Sequence, residues 1–130
     1  MDIQRVVQHL KDSVPGLLAI YVFGSHVSGD LQPHSDLDVA IYLPGKGDPL
    51  ALWGISGELA DIVDRPVDLI DLGAASTVMQ YQIITQGRCV WSRDVSSGLF
   101  EAFVLSEKTA LDASRAGLID DIQKDGLIHG

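Results

Sequence analysis

Two short stretches of this 130-residue chain combine residue types that could do chemistry together: Gly24-Ser25 and, ten residues later, Asp36-Leu37-Asp38. Carboxylates two apart on an extended strand emerge on one face, roughly 6–7 Å apart along the chain. Like charges that close repel, and crowding them is costly unless cations neutralise them. Magnesium is the natural cation, since it takes oxygen ligands and is commonly held by one or two carboxylates plus substrate phosphates. Two such ions, about 3.5–4 Å apart, clamp the attacking and leaving oxygens of an in-line displacement at phosphorus. Gly24 would let the backbone approach a phosphate closely, and the Ser25 hydroxyl and the N–H groups after it can donate to its oxygens.

A third carboxylate is expected from another strand, to complete one metal site and take the proton from an attacking hydroxyl. Asp68 and Asp71 are the candidates, and their spacing puts them on opposite faces of a regular strand. Asp68 is the choice: a charge inside the apolar stretch Val67-Asp68-Leu69-Ile70 needs a reason. Asp71 precedes Leu72-Gly73, where a turn role explains it.

The elements that must position these residues follow from periodicity. Ile3, Val6, Val7 and Leu10 fall at helical spacing, with Asp2 as N-cap and Pro15-Gly16 as the stop. Leu17 to Phe23 is a continuous apolar run with β-branched and aromatic members, hence a buried strand. Gly24 to His34 reads as a loop that could include a short helix. In Ser35 to Leu43, residues Leu37, Val39, Ile41 and Leu43 share one face and Asp36, Asp38, Ala40 and Tyr42 the other, a half-buried strand with an acidic exposed end. After the turn Pro44 to Pro49, Leu50 to Val63 returns to helical spacing through Trp53, Leu59, Ile62 and Val63. Pro66 to Leu72 is a third strand, Ala75 to Gln86 a helix with Gly87 at the C-cap, and Arg88 to Ser92 a candidate fourth, edge-type strand. From Leu99 a helical stripe runs through Phe100, Phe103, Val104, Leu111, Leu118 and Ile122, with Gly117 a candidate break and Gly126 to Gly130 expected to fray. The result is a small α/β (α+β) domain, a mixed sheet flanked by helices. Residues 1–98 form the body and 99–130 a C-terminal helical extension of the same domain.

Bulk properties bound the partners. The net charge of −9, with nine basic against eighteen acidic residues and no basic cluster, weighs against direct nucleic-acid binding, which lysine and arginine drive. An acidic protein can still bind a triphosphate when metal ions carry the positive charge. The single cysteine, Cys89, excludes an internal disulfide and fits a reducing compartment. No secretory signal is visible and the apolar run Leu17 to Phe23 is far too short to span a bilayer, so a soluble cytoplasmic protein is expected.

At these residues the sequence resembles the nucleotidyltransferase superfamily related to DNA polymerase beta, whose pattern is Gly-Ser, a spacer, then Asp-x-Asp on the next strand. Its small size narrows the likeness to the minimal nucleotidyltransferases. Arg65 to Leu72, Ala75 to Val78 and Gln86 to Arg88 look like the MntA-type antitoxins of HEPN/MNT modules, a likeness that covers about residues 5–125. The resemblance implies the nucleotidyltransferase fold and AMP transfer from ATP to a tyrosine of a cognate HEPN ribonuclease toxin. It also implies that Gly24 and Ser25 bind the triphosphate, while Asp36 and Asp38 hold magnesium, with Asp68 as the third carboxylate of a two-ion site. One departure concerns the turn after Gly-Ser: many relatives carry arginines there, and this chain has His26-Val27-Ser28-Gly29.

The remaining residues are read more plainly. His26 and His34 are solvated loop histidines, and no His/Cys grouping has zinc spacing. Cys89 is expected to be inert core, and Trp53 and Trp91 to be packing residues. The Phe100/Phe103/Leu111/Leu118 stripe fits either intramolecular core or a partner groove, and Lys108 and Arg115 on that helix stay unassigned. Two other functions fit the same acids. A small-molecule, aminoglycoside-type nucleotidyltransferase would need an acceptor pocket, for which about thirty residues after the last strand are few. A non-catalytic antitoxin would neutralise its toxin by binding alone.

Overall fold

The structure, a computed structural model, describes residues 3–24 and 36–129, with side chains described as far as Ala116. Asp2, Ser25, His26, His34 and the turn His26 to Gly29 lie outside the described residues.

The chain begins with α1 (Ile3–Ser13), then β1 (Ala19–Phe23) and β2 (Leu37–Tyr42). Helix α2 (Pro49–Val63) starts where Asp48 accepts a hydrogen bond from the Leu50 N–H at 3.2 Å, with Pro49 in the first turn, where it forfeits no helical bond. Strand β3 (Val67–Asp71) runs into a short 3₁₀ turn at Leu72–Ala74. Helix α3 (Thr77–Gln86) is capped by Ser76, whose hydroxyl accepts from the Met79 N–H at 3.2 Å. Strand β4 (Arg88–Ser92) and α4 (Ser96–His129) complete the chain.

The four strands form one sheet in the order β3-β2-β1-β4. β1 is antiparallel to β2 and β4, whereas β2 and β3 are parallel. This is the expected mixed sheet, with β4 on an edge. One face packs Ile20, Val22, Leu37, Val39 and Ile41 against Val6 and Leu10 of α1 and Leu52, Leu59 and Val63 of α2. The other face, with Ala19, Tyr21 and Ala40, is covered by Leu72, Ile83 of α3 and Phe100 of α4. Strand β2 is thus covered on both faces along most of its length, and only its acidic start opens outward; the expectation of a half-buried strand holds for that end alone.

Three readings are corrected and one is refined. Helix α4 begins at Ser96 and passes Gly117 without a break, since one interior glycine costs only about 1 kcal/mol relative to alanine. Its stripe divides: Val104 is buried and Phe100 stacks on Tyr42 with centroids 4.3 Å apart, while Phe103 is exposed. Cys89 is exposed rather than core, because β4 is an edge strand with few elements over it. Trp53 is 79% exposed, whereas Trp91 does pack against the core with Lys11 over its ring at 5.3 Å. The helical phase explains Trp53, because Leu52, Leu59 and Val63 face the sheet and turn it outward. Gly87 is the C-cap of α3 as expected, its N–H donating to the Ile83 carbonyl at 2.9 Å, with an extended backbone (φ −88°). It is glycine for space: a Cβ there would lie 2.5 Å from the Ile83 carbonyl and 2.9 Å from that of Val22.

Candidate active site

The acidic residues come together through strand register. Asp38 in β2 lies level with Phe23 at the end of β1 and with Asp68 in β3. Two paired residues on adjacent strands point to the same face, so Asp38 and Asp68 stand side by side, and Asp36, two residues before Asp38, joins them. Asp36 and Asp68 are exposed and Asp38 is partly covered. They occupy the face that α3 and α4 cover further along the sheet.

The three acids burden one another electrostatically. The Asp38 carboxyl is pushed above the ordinary carboxylate range, first by burial, then by the negative charges of Asp68 and Asp36. Each cause penalises the charged form, so a cation brought between these groups would relieve the repulsion. Among the described residues, no group of three or more acid, histidine or cysteine side chains is arranged to hold a metal ion, so the expected set Asp36, Asp38 and Asp68 is not brought to ligand spacing.

Gly24 serves the carboxylates in a way that sequence reasoning missed. Its φ is +77°, the left-handed region that favours glycine. A Cβ at this position would collide with the Asp38 carboxylate and lie 3.2 Å from its Cγ. The absent side chain is therefore the room that Asp38 occupies. The same turn leads directly into Ser25, which lies outside the described residues.

Asp71 is turned away from this group. It is on the opposite face of β3 from Asp68, and its Oδ2 accepts from the Gly47 N–H at 2.7 Å, tying the turn after β2 to the end of β3. Asp36, Asp68 and Asp71 all line a cavity of about 630 Å³ beside β3, which Trp53 and Lys46 border as well. Neither Trp53 nor Lys46 had been singled out as a site residue. The signal for Trp53 was its position out of phase with the inward leucines of α2.

The fold and this constellation of acids define a nucleotidyltransferase. The polymerase beta nucleotidyltransferase family model matches residues 4–96, a span that holds all four strands and every acid discussed, and the chain belongs to that family. Within it, the chain is 36% identical over 118 residues to the protein adenylyltransferase MntA of Shewanella oneidensis, covering 91% of this chain and 85% of that one. A crystal structure of a toxin–antitoxin with AMP-PNP superposes with a TM-score of 0.84 at 35% identity, covering 95% of this chain and 99% of the other. A structure of the tri-AMPylated Shewanella oneidensis HEPN toxin in complex with MNT antitoxin superposes with a TM-score of 0.76 at 34% identity, covering 92% and 94%. Among the described residues no helix is long and apolar enough to cross a membrane.

Proposed function

We propose that this chain is an antitoxin that acts as a protein adenylyltransferase, transferring AMP from ATP to a tyrosine hydroxyl of a cognate HEPN ribonuclease toxin in the cytoplasm. The observation that carries this reading is the in-register pair Asp38–Asp68, with Asp36 beside it and the Gly24 turn packed against Asp38. The substrate and partner rest on the likeness to MntA and to the complexes with a HEPN toxin.

In this reading Gly24 and Ser25 hold the triphosphate, and Asp36, Asp38 and Asp68 hold two Mg²⁺ ions. When bound, the ions neutralise phosphate charge and support both the attacking and the leaving oxygen. The tyrosine oxygen attacks the α-phosphorus and a new O–P bond forms. The bond from that phosphorus to pyrophosphate breaks, and pyrophosphate leaves with the electron pair. Asp68 accepts the tyrosine proton, as a general base within reach of the attacking hydroxyl.

The test is transfer of label from α-labelled ATP, with Mg²⁺, to the purified cognate HEPN protein by the wild-type chain and by the double variant Asp36→Asn/Asp38→Asn. Label on the HEPN protein with the wild type, and none with the variant, is the expected result. Undiminished neutralisation of the toxin by a wild-type chain that transfers no label would replace this reading with inhibition by contact alone.

A further inference from the structure

We infer that the cavity beside β3 is the acceptor subsite, and that it takes an extended segment of the partner protein as an added strand. The inference rests on the proposed function and specifies where its protein substrate lies.

Three observations lead there. First, the cavity is continuous with the carboxylates: Asp36 and Asp68 form part of its wall, together with Val67 and Leu69 of β3 and Trp53 of α2. Its volume of about 630 Å³ falls within the roughly 300–1,000 Å³ of pockets that hold a drug-sized ligand, room for a tyrosine side chain. Second, β3 is an edge strand, paired among the described residues only with β2. The Leu37 N–H donates to the Pro66 carbonyl at 2.9 Å, and the alternation of a parallel ladder then turns the main-chain groups of Val67 and Leu69 away from β2. The Ser56 hydroxyl donates to the Val67 carbonyl at 2.6 Å, leaving Leu69 as the edge residue that faces the cavity with backbone donor and acceptor. An exposed edge of this kind recruits an extended peptide through main-chain hydrogen bonds, with pockets reading alternate side chains. Third, Trp53 is 79% exposed and lines the same cavity as Asp36 and Asp68, an aromatic surface on which a tyrosine ring can stack.

In-line geometry separates this occupant from the nucleoside. The Gly24 turn, assigned to the triphosphate, flanks Asp38 on the β1 side, and Asp68 flanks it on the β3 side. Attacking and leaving oxygens lie on opposite sides of the α-phosphorus. With pyrophosphate toward Gly24, the incoming hydroxyl comes from the β3 side, where Asp68 can take its proton.

The test uses Trp53→Ala, which removes an exposed ring, and Leu69→Pro, which removes the outward N–H of an edge strand, a position where proline is tolerated. Initial rates of AMP transfer from ATP to the cognate HEPN protein are measured over a range of each substrate. Both variants are expected to raise KM for the HEPN protein, Trp53→Ala by about tenfold and Leu69→Pro by about threefold to tenfold, while KM for ATP stays within about twofold. A rise in KM for ATP instead would assign the cavity to the nucleoside and overturn the inference. Unchanged constants for Trp53→Ala would overturn it as well, whether or not Leu69→Pro folds. A wild-type chain that labels no HEPN protein removes the proposed function, and this inference with it; a labelling wild type beside indifferent variants removes the inference alone.

Discussion

Replacing Gly24 with alanine separates two roles that a glycine in this turn could play. At φ +77° alanine costs about 1–2 kcal/mol relative to a relaxed backbone. A small domain with a stability of roughly 5–15 kcal/mol folds in spite of that cost. The larger effect is local. The new methyl would overlap the Asp38 carboxylate, with the Asp38 Cγ at 3.2 Å and Cβ at 3.5 Å. The Asp38 backbone is held in the ladder between Phe23 and Asp68, so the side chain rather than the main chain must yield. A displacement of about 1 Å at a reacting centre costs on the order of 10²-fold in rate. Gly24→Ala is therefore expected to lower the urea unfolding free energy by about 1–2 kcal/mol. Transfer of AMP to the HEPN protein is expected to slow by about 10²-fold at saturating ATP, with binding of the HEPN protein unaltered. Urea titration, initial rates and a binding isotherm on the same preparation measure the three quantities. Transfer within about threefold of wild type, in a variant destabilised as expected, would refute the assignment of Gly24 to making room for Asp38.

Three further outcomes follow from the same geometry. In the absence of Mg²⁺, Asp38→Asn should stabilise the fold, by on the order of 0.5 kcal/mol for relieving a like-charge cross-strand pair, while abolishing transfer. The raised Asp38 carboxyl also fixes a pH dependence. The folded state holds this proton more tightly than the unfolded chain does, so the stability it contributes is full below the ordinary carboxylate range. That contribution is lost as pH rises through the raised value. The advantage of Asp38→Asn over wild type in metal-free urea titrations should accordingly grow from acid toward neutral pH and shrink when Mg²⁺ is added; a flat difference across that range would contradict it. The two candidate third carboxylates should part cleanly: Asp68→Ala should remove transfer with little effect on stability. Asp71→Ala, which frees the Gly47 N–H now bonded at 2.7 Å, should cost about 1–2 kcal/mol in urea unfolding and retain transfer within severalfold. Both contrasts are read from urea midpoints alongside labelling rates.

The legible parts of this chain were those governed by local period. Alternation in Leu37 to Leu43 told which side chains of β2 face α1 and α2, and all four aliphatics are found there. The same period put Asp36 and Asp38 on one face and Asp68 and Asp71 on opposite faces. Errors arose where neighbours remote in sequence decide. Whether Trp53 is covered depends on the phase of α2 against the sheet, and whether Cys89 is buried depends on what lies over an edge strand. Gly87 does end α3, but part of the reason no side chain fits there is the Val22 carbonyl, from a strand more than sixty residues earlier.

The chain's residues by themselves determined the acids, their shared face on β2 and the glycine turn ahead of them, because these depend on spacings of two residues and on the end of one apolar run. They could not determine that Asp68 stands level with Asp38, since a parallel pair joined through α2 has no tight turn to set its register. Packing of α2 between β2 and β3 sets it, with Leu37 opposite Val67 and Asp38 opposite Asp68. Only that register brings the carboxylates side by side, leaves β3 paired on one side alone among the described residues and places Gly24 on the far side of Asp38.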